Sequence, residues 1–191
     1  MNDEFKTTVT GRFIGGGLFK PKESEDEGGK VKLRFSACIV LNKGQEQAIS
    51  RIVEQAQQDR WGDKKPKGMK NFGAQLGDDP EYASYKSYFI NPKAVDKPKA
   101  FVKRDGLCIA VSKEDDILYP GCYVAVSVRA YAYDGDPKKH IKPGVALSLR
   151  AVMFHKHGER LSDEVDPESE FADIDSHETT ENDHDDDPFA D

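Results

Sequence analysis

The stretch Cys122–Tyr133 alternates without a break. Cys122, Val124, Val126, Val128, Ala130 and Ala132 fall on one side of an extended chain. Tyr123, Ala125, Ser127, Arg129, Tyr131 and Tyr133 fall on the other. A period of two cannot put one consistent face of a helix against a core. The segment must therefore be a strand with one buried face and one open face, which is the habit of antiparallel sheets.

The rest of the chain supplies partners for that strand. Phe5–Lys20 reads as a first strand, with Gly15-Gly16-Gly17 marking a bulge or a sharp bend. Glu23–Lys30 is a polar hairpin loop. Val31–Leu41 alternates again, with Val31, Leu33, Phe35, Ala37, Ile39 and Leu41 expected in the core. Gln45–Trp61 is the one convincing helix: Ala48, Ile49, Ile52, Val53 and Ala56 recur at helical spacing and Gly62 ends it. Asp63–Asp79 follows as a long Lys- and Gly-rich loop. Tyr82–Asn91 is a short aromatic strand, and Ala100–Val111 is strand, turn, strand around Asp105-Gly106. After the basic loop Asp134–Pro143, Gly144–His155 is the last strand, with Val145, Leu147, Leu149, Ala151 and Met153 inward and Ser148 and Arg150 outward. Short alternating strands with turn signals predict a small barrel, and one helix set between strands can plug its end.

Charge divides the chain in two. Residues 159–191 hold 15 acidic residues against one basic residue, Arg160, a charge of −14. The remaining 27 basic and 20 acidic residues leave the body at +7. The acidic segment is too polar and too self-repelling to build a core, so it reads as a disordered tail after a domain spanning 1–158. Three scattered cysteines, Cys38, Cys108 and Cys122, form neither a disulfide framework nor a CxxC pair. Reduced thiols, no leader-like N-terminus and no apolar run of membrane length predict a cytoplasmic protein without a membrane partner.

The chemistry offered by the open faces is binding. Tyr123, Arg129, Tyr131 and Tyr133 share one strand face, Lys32 and Arg34 lie on a second, and Lys86 and Tyr88 on a third. Lys138, Lys139 and Arg150 add cations nearby. Single-stranded nucleic acid asks for cations along its phosphates and flat rings for its bases, each stacked base contributing about 1–3 kcal/mol. Placement on strands disfavours readers of the duplex major groove. The bland alternative is that the rings cover a loop and the cations form a solvated face. His155 and His157 form an HxH pair lacking a carboxylate or thiol to complete a metal site, so no metal and no cofactor are expected. The Gly-rich stretch lacks the lysine and glycine spacing of a phosphate loop, and no nucleophile or metalloprotease motif is present, so no enzyme is expected.

These stretches resemble the phage-type single-stranded DNA-binding proteins, in particular a phage branch once catalogued as a domain of unknown function. The likeness is carried by Leu118-Tyr119-Pro120-Gly121-Cys122-Tyr123-Val124 with its strand, by Gly144–Val152 running on to Gly158-Glu159-Arg160-Leu161, and by the tip Asp185-Asp186-Asp187-Pro188-Phe189. The resemblance implies a five-stranded antiparallel OB-fold barrel with one helix after the second strand. It implies sequence-independent binding of single-stranded DNA in phage replication, recombination and repair, in the host cytoplasm. It also implies a tail that competes for the groove and recruits replication or recombination proteins through Asp185–Phe189. Here Ala190 and Asp191 follow Phe189, whereas the family tail usually ends on the ring. Self-association into a homo-oligomer is compatible with all of this. The rival functions are a protein-interaction or assembly factor on a β-barrel, and an RNA-binding chaperone.

Overall fold

The computed structural model describes residues 5–25, 29–76 and 86–161. The tail tip Asp185–Phe189, Asp78-Asp79 and the start of the expected strand at Tyr82 lie outside the described residues.

The strands run β1 (Lys6–Gly15), β2 (Lys22–Glu25), β3 (Val31–Ser36), β4 (Cys38–Leu41), then helix α1 (Glu46–Trp61). After the helix come β5 (Lys70–Asn71), β6 (Gln75–Leu76), β7 (Tyr88–Ile90), β8 (Lys93–Ala94), β9 (Lys99–Arg104), β10 (Leu107–Ala110), β11 (Tyr123–Tyr133) and β12 (Gly144–Lys156). β11 pairs with β1 and with β12, both antiparallel. β1 continues to β4, β4 to β7, and β3 to β8. The circuit closes where β8 and β9 run parallel to β12. Grouping the broken strands gives five arms in the order first, second, third, fifth, fourth and back to the first. That is the order of an OB-type barrel, with α1 after the second arm.

The core follows the alternation of β11. Val124, Val126, Val128 and Ala130 are wholly buried, facing Val9, Ile39, Ile49, Val145 and Val152. Each fully buried valine contributes about 1.5–3 kcal/mol. α1 turns Ile49, Ile52, Val53 and Ala56 into this core at the expected spacing. Its C-terminus closes at Gly62, whose amide donates to Gln58 O at 2.9 Å. Asp134, at the end of β11, then fastens the helix. Its carboxylate pairs with Arg60 and accepts from Trp61 Nε1 at 2.9 Å. The Arg60 hydrogen bond is the main reason that the Asp134 carboxyl sits below its usual range, with Trp61 second.

Four expectations need correction. Val31 and Leu33 are not core residues; they are 55% and 60% exposed, because the β2–β3 hairpin extends past the barrel. The long strand expected at Val31–Leu41 breaks at Ala37 into β3 and β4. In β12 the ladder to β11 skips Arg150, so the inward phase passes from Leu149 to Val152 instead of to Ala151 and Met153. A bulge adds one residue and reverses every later face. The Asp63–Asp79 loop is not bare, since Lys70–Asn71 pairs with Gly144–Val145 and Gln75–Leu76 with β7. The bulge anticipated near Gly15 is present, as a register shift between Phe13 and Gly15.

The chain leaves the barrel at a fixed point. Arg12 donates to Gly121 O and Glu159 O at 3.2 and 3.0 Å, and Leu161 N donates to Pro120 O at 2.9 Å. Arg160 pairs with Asp116 and lies over the Tyr119 ring at 4.1 Å. Gly121 has φ +108°, and a Cβ there would stand 1.9 Å from Glu159 O, so only glycine lets the two segments close. Glu159–Leu161, read from composition as the start of the tail, are therefore docked on the barrel.

Candidate nucleic-acid interface

The outward face of β11 and β12 forms a trough because its two walls differ in size. Directly opposed residues in a ladder point the same way. Tyr131 stands opposite Ala146, Tyr133 opposite Gly144, and Arg129 opposite Ser148. Small residues on β12 thus make the floor, and long ones on β11 make a wall. A Cβ at Gly144 would come within 2.8 Å of Tyr133 Oη and 2.7 Å of Lys70 O, so glycine also sets how closely the ring and β5 approach.

One strip crosses four neighbouring strands. Lys6 on β1 opposes Arg129, Ser148 lies next, and Lys93 on β8 pairs with Ser148. Arg129 Nε is buried and, among the described residues, has no hydrogen-bond partner. An unsatisfied buried donor is costly, and one at a groove wall is a place for an acceptor to arrive.

Three adjoining hollows of about 630, 320 and 610 Å³ share residues and run together. The first is bordered by Lys32, Arg34, Lys70, Phe72, Tyr131 and Tyr133. The second contains Arg34, Lys93, Arg129 and Tyr131, and the third Lys6, Lys97, Lys99 and Arg150. Nine basic residues line the run, against the acidic Glu25 and Asp96, so the trough is strongly cationic. The Tyr131 and Tyr133 rings are 6.3 Å apart and tilted by 42°, and Tyr131 is 46% exposed. The hairpin is held over the first hollow by Lys93 Nζ, which donates to Ser24 Oγ at 2.7 Å.

The structure thus brings together six of the residues singled out from sequence: Lys32, Arg34, Arg129, Tyr131, Tyr133 and Arg150. The other five are not among the residues lining the three hollows. Lys86 has φ +44°, so it does not share the alternation of β7, and Tyr88 lies where β7 pairs with β6. Tyr123 sits at the start of β11 beneath Lys156 Nζ, 4.5 Å from its ring centre. Lys138 and Lys139 lie in a short 3₁₀ turn between β11 and β12. Asp136 caps this turn and ion-pairs with Lys139 at 2.8 Å, which holds its carboxyl below the usual range.

Sequence reasoning missed Lys6, Lys70, Phe72, Lys93, Lys97 and Lys99. Lys70-Asn71-Phe72 carried a usable signal, a cation beside a ring in a loop rich in lysine. His157 has a structural neighbourhood. Its ring stacks on Tyr119 at 6.0 Å, with Nδ1 3.1 Å from Tyr119 Oη, and meets Phe154 edge-on at 4.8 Å. Among the described residues, no group of three or more His, Cys, Asp and Glu is arranged to hold a metal ion, and no helix is long and apolar enough to cross a membrane.

A small OB-type barrel with an open cationic trough walled by tyrosines belongs to the class of barrels that accept extended polymer chains on one face. Residues 7–186 match the family described as "Enterobacter phage Enc34, ssDNA-binding protein", and the chain belongs to that family. Protein p50 of Acyrthosiphon pisum secondary endosymbiont phage 1 is 25% identical over 157 residues, covering 76% of this chain and 79% of its own length. Among solved structures, the single-stranded DNA-binding protein of bacteriophage Enc34 in complex with ssDNA matches with a TM-score of 0.64 at 18% identity, over 84% of this chain and 91% of that one. The gp2.5 protein of bacteriophage T7, a single-stranded DNA-binding protein, matches with a TM-score of 0.57 at 11% identity, over 91% and 96%. These two likenesses concern the fold.

Proposed function

We propose that the chain binds single-stranded DNA without sequence preference, along the trough on the outward face of β11 and β12. The observation that carries this reading is the continuous cationic run bordered by Phe72, Tyr131 and Tyr133, with the buried Nε of Arg129, unpaired among the described residues, in its wall. Phosphates follow Lys6, Lys32, Arg34, Lys93, Arg129 and Arg150, while bases stack on the rings. Stacking surfaces without a rigid donor and acceptor pattern tolerate every base, which suits a protein that coats a strand. Family membership and the structural relatives, which are single-stranded DNA-binding proteins, support the same ligand.

The finer role follows from charge. The domain ends near residue 158, and the segment beyond the docked Glu159–Leu161 is a tethered polyanion that competes for the trough at high effective concentration. DNA displaces it, and the released Asp185-Asp186-Asp187-Pro188-Phe189 recruits proteins of phage replication, recombination or repair in the host cytoplasm. The test is fluorescence anisotropy with labelled oligo-dT, duplex and RNA strands at two salt concentrations. Tight binding to oligo-dT that weakens with salt is expected. Absence of binding to oligo-dT at low salt refutes the proposal, and an equal or greater preference for RNA moves the ligand class to RNA.

A further inference from the structure

β10 is an exposed strand at an edge of the sheet. Among the described residues it pairs with β9 alone, so its other edge has no partner strand. All four of its residues are exposed, Leu107 at 69% and Ile109 at 45%. An open edge is normally guarded by lysine, proline or a bulge that stops another strand from adding to it. Leu107-Cys108-Ile109-Ala110 contains none of these.

We propose that this edge is a self-association surface, where β10 of a second copy pairs antiparallel about a two-fold axis through Ile109. Hydrogen-bond direction restricts the register. Val111 N donates to Ala100 O at 2.9 Å, on the β9 side. Ladder groups alternate along an antiparallel strand, so the amides of Leu107 and Ile109 also face β9, while those of Cys108 and Ala110 face the open edge. A symmetric pairing can use only the outward groups. An axis on Ile109 satisfies this by setting Cys108 of each copy opposite Ala110 of the other.

Charge and apolar contact then choose among the allowed axes. With the axis on Ile109, Lys113 of each copy reaches the Asp105 turn of the other, giving two opposite-charge contacts. An axis on Ala110 would instead set Leu107 against Lys113, and an axis on Cys108 would set Val111 against the Asp105 turn, each placing an apolar residue against a charged one. Leu107, Ile109 and Val111 share one face, so the Ile109 axis places Ile109 against Ile109 and Leu107 against Val111 across the seam. A two-fold interface of this kind closes on itself and yields dimers, not fibres. Because Lys99 both borders the trough and begins β9, the seam lies beyond that end of the trough and leaves it open.

Sedimentation of the full chain over a wide concentration range tests this. A species of twice the chain mass is expected. Ala110→Pro removes an outward amide and spares the bonds to β9, since proline is tolerated where an edge N–H faces solvent. It should give monomers with a nearly unchanged melting temperature. If that variant fails to fold, Ile109→Lys decides by the same readout. Ala110→Cys sets a thiol opposite Cys108 of the second copy at the ~5.5 Å Cα separation of a hydrogen-bonded pair, within disulfide reach. Mild oxidation should then yield a covalent dimer that Cys108→Ser abolishes. Monomers at every concentration, a dimer indifferent to the folded edge variants, or no cross-link from Ala110→Cys would each overturn the proposal.

Discussion

Replacing Arg129 and Tyr131 separately should split the binding energy into a salt-dependent part and a salt-independent part. Nine basic side chains line the trough. On single strands each neutralised phosphate adds about 0.7 to the slope of log affinity against log salt, so full engagement gives a slope of about −6. Arg129→Ala should make that slope shallower by about 0.7. Across a fourfold rise in salt, the variant then loses about 2.6-fold less affinity than the wild type. Tyr131→Ala removes a stacking surface of about 1–3 kcal/mol, a loss of about 5- to 160-fold that should be the same at every salt concentration. Arg129→Lys should keep the slope and still weaken binding, because lysine keeps the charge but lacks the buried Nε donor. The assay is anisotropy with a labelled oligo-dT at four or more salt concentrations, with melting temperatures to confirm folding. If Tyr131→Ala changes the slope as much as Arg129→Ala does, or if neither affects affinity, the trough on β11 is not where the strand lies.

Deleting residues 162–191 should tighten DNA binding by a few-fold at low salt and by less at high salt; an unchanged affinity at low salt would remove the competitor role of the acidic segment. Ile39→Ala, at a wholly buried site on β4, should cost about 2–5 kcal/mol in chemical denaturation; a loss below 1 kcal/mol would mean that this wall of the barrel can collapse. The Asp134 carboxyl is held low by Arg60 and Trp61, so its stabilising effect is present above the ordinary Asp value of about 4 and is lost as pH falls through its lower folded value. Trp61, the one tryptophan, should therefore change its emission below about pH 4. Asp134→Asn should alter that emission already at neutral pH, and an identical neutral spectrum would show that the indole bond is not made in solution. Gly121→Ala should lower the melting temperature and loosen Glu159–Leu161 from the barrel, read as earlier proteolysis at the C-terminal side; unaltered proteolysis would refute the close packing at that turn.

Legibility from sequence followed how local each signal was. β11 was readable residue by residue because all its inward positions are apolar and the extra residues at the two shifts of its ladder with β12 lie on β12. α1 was readable because its apolar stripe and terminal glycine are both local. β12 was readable only as far as Leu149. The bulge at Arg150 depends on how β11 pairs with it, and alternation within one strand carries no trace of that. Val31 and Leu33 misled because the pattern records which side chains share a face and not whether anything covers that face. The trough was half legible. Arg129, Tyr131 and Tyr133 lie together on one strand, whereas Lys70, Phe72 and Lys93 arrive from short segments that meet β12 through parallel contacts, β8 also pairing with β3. Those contacts are long-range, and short loop-like stretches gave no sign of them.

The pairing of Lys6 with Arg129 also has a consequence during synthesis. β1 lies between β4 and β11, and β11 emerges from the ribosome long after the helix is complete. Until then β1 has one neighbour and an open flank, and its core residues Val9 and Phe13 have no opposite wall. Ladders joining distant parts of a chain are slow to form, and incomplete ones expose strand edges. The nascent chain must therefore keep its first strand soluble until Tyr123–Tyr133 has been made, so a message truncated before that point would yield an aggregating fragment and not a smaller barrel.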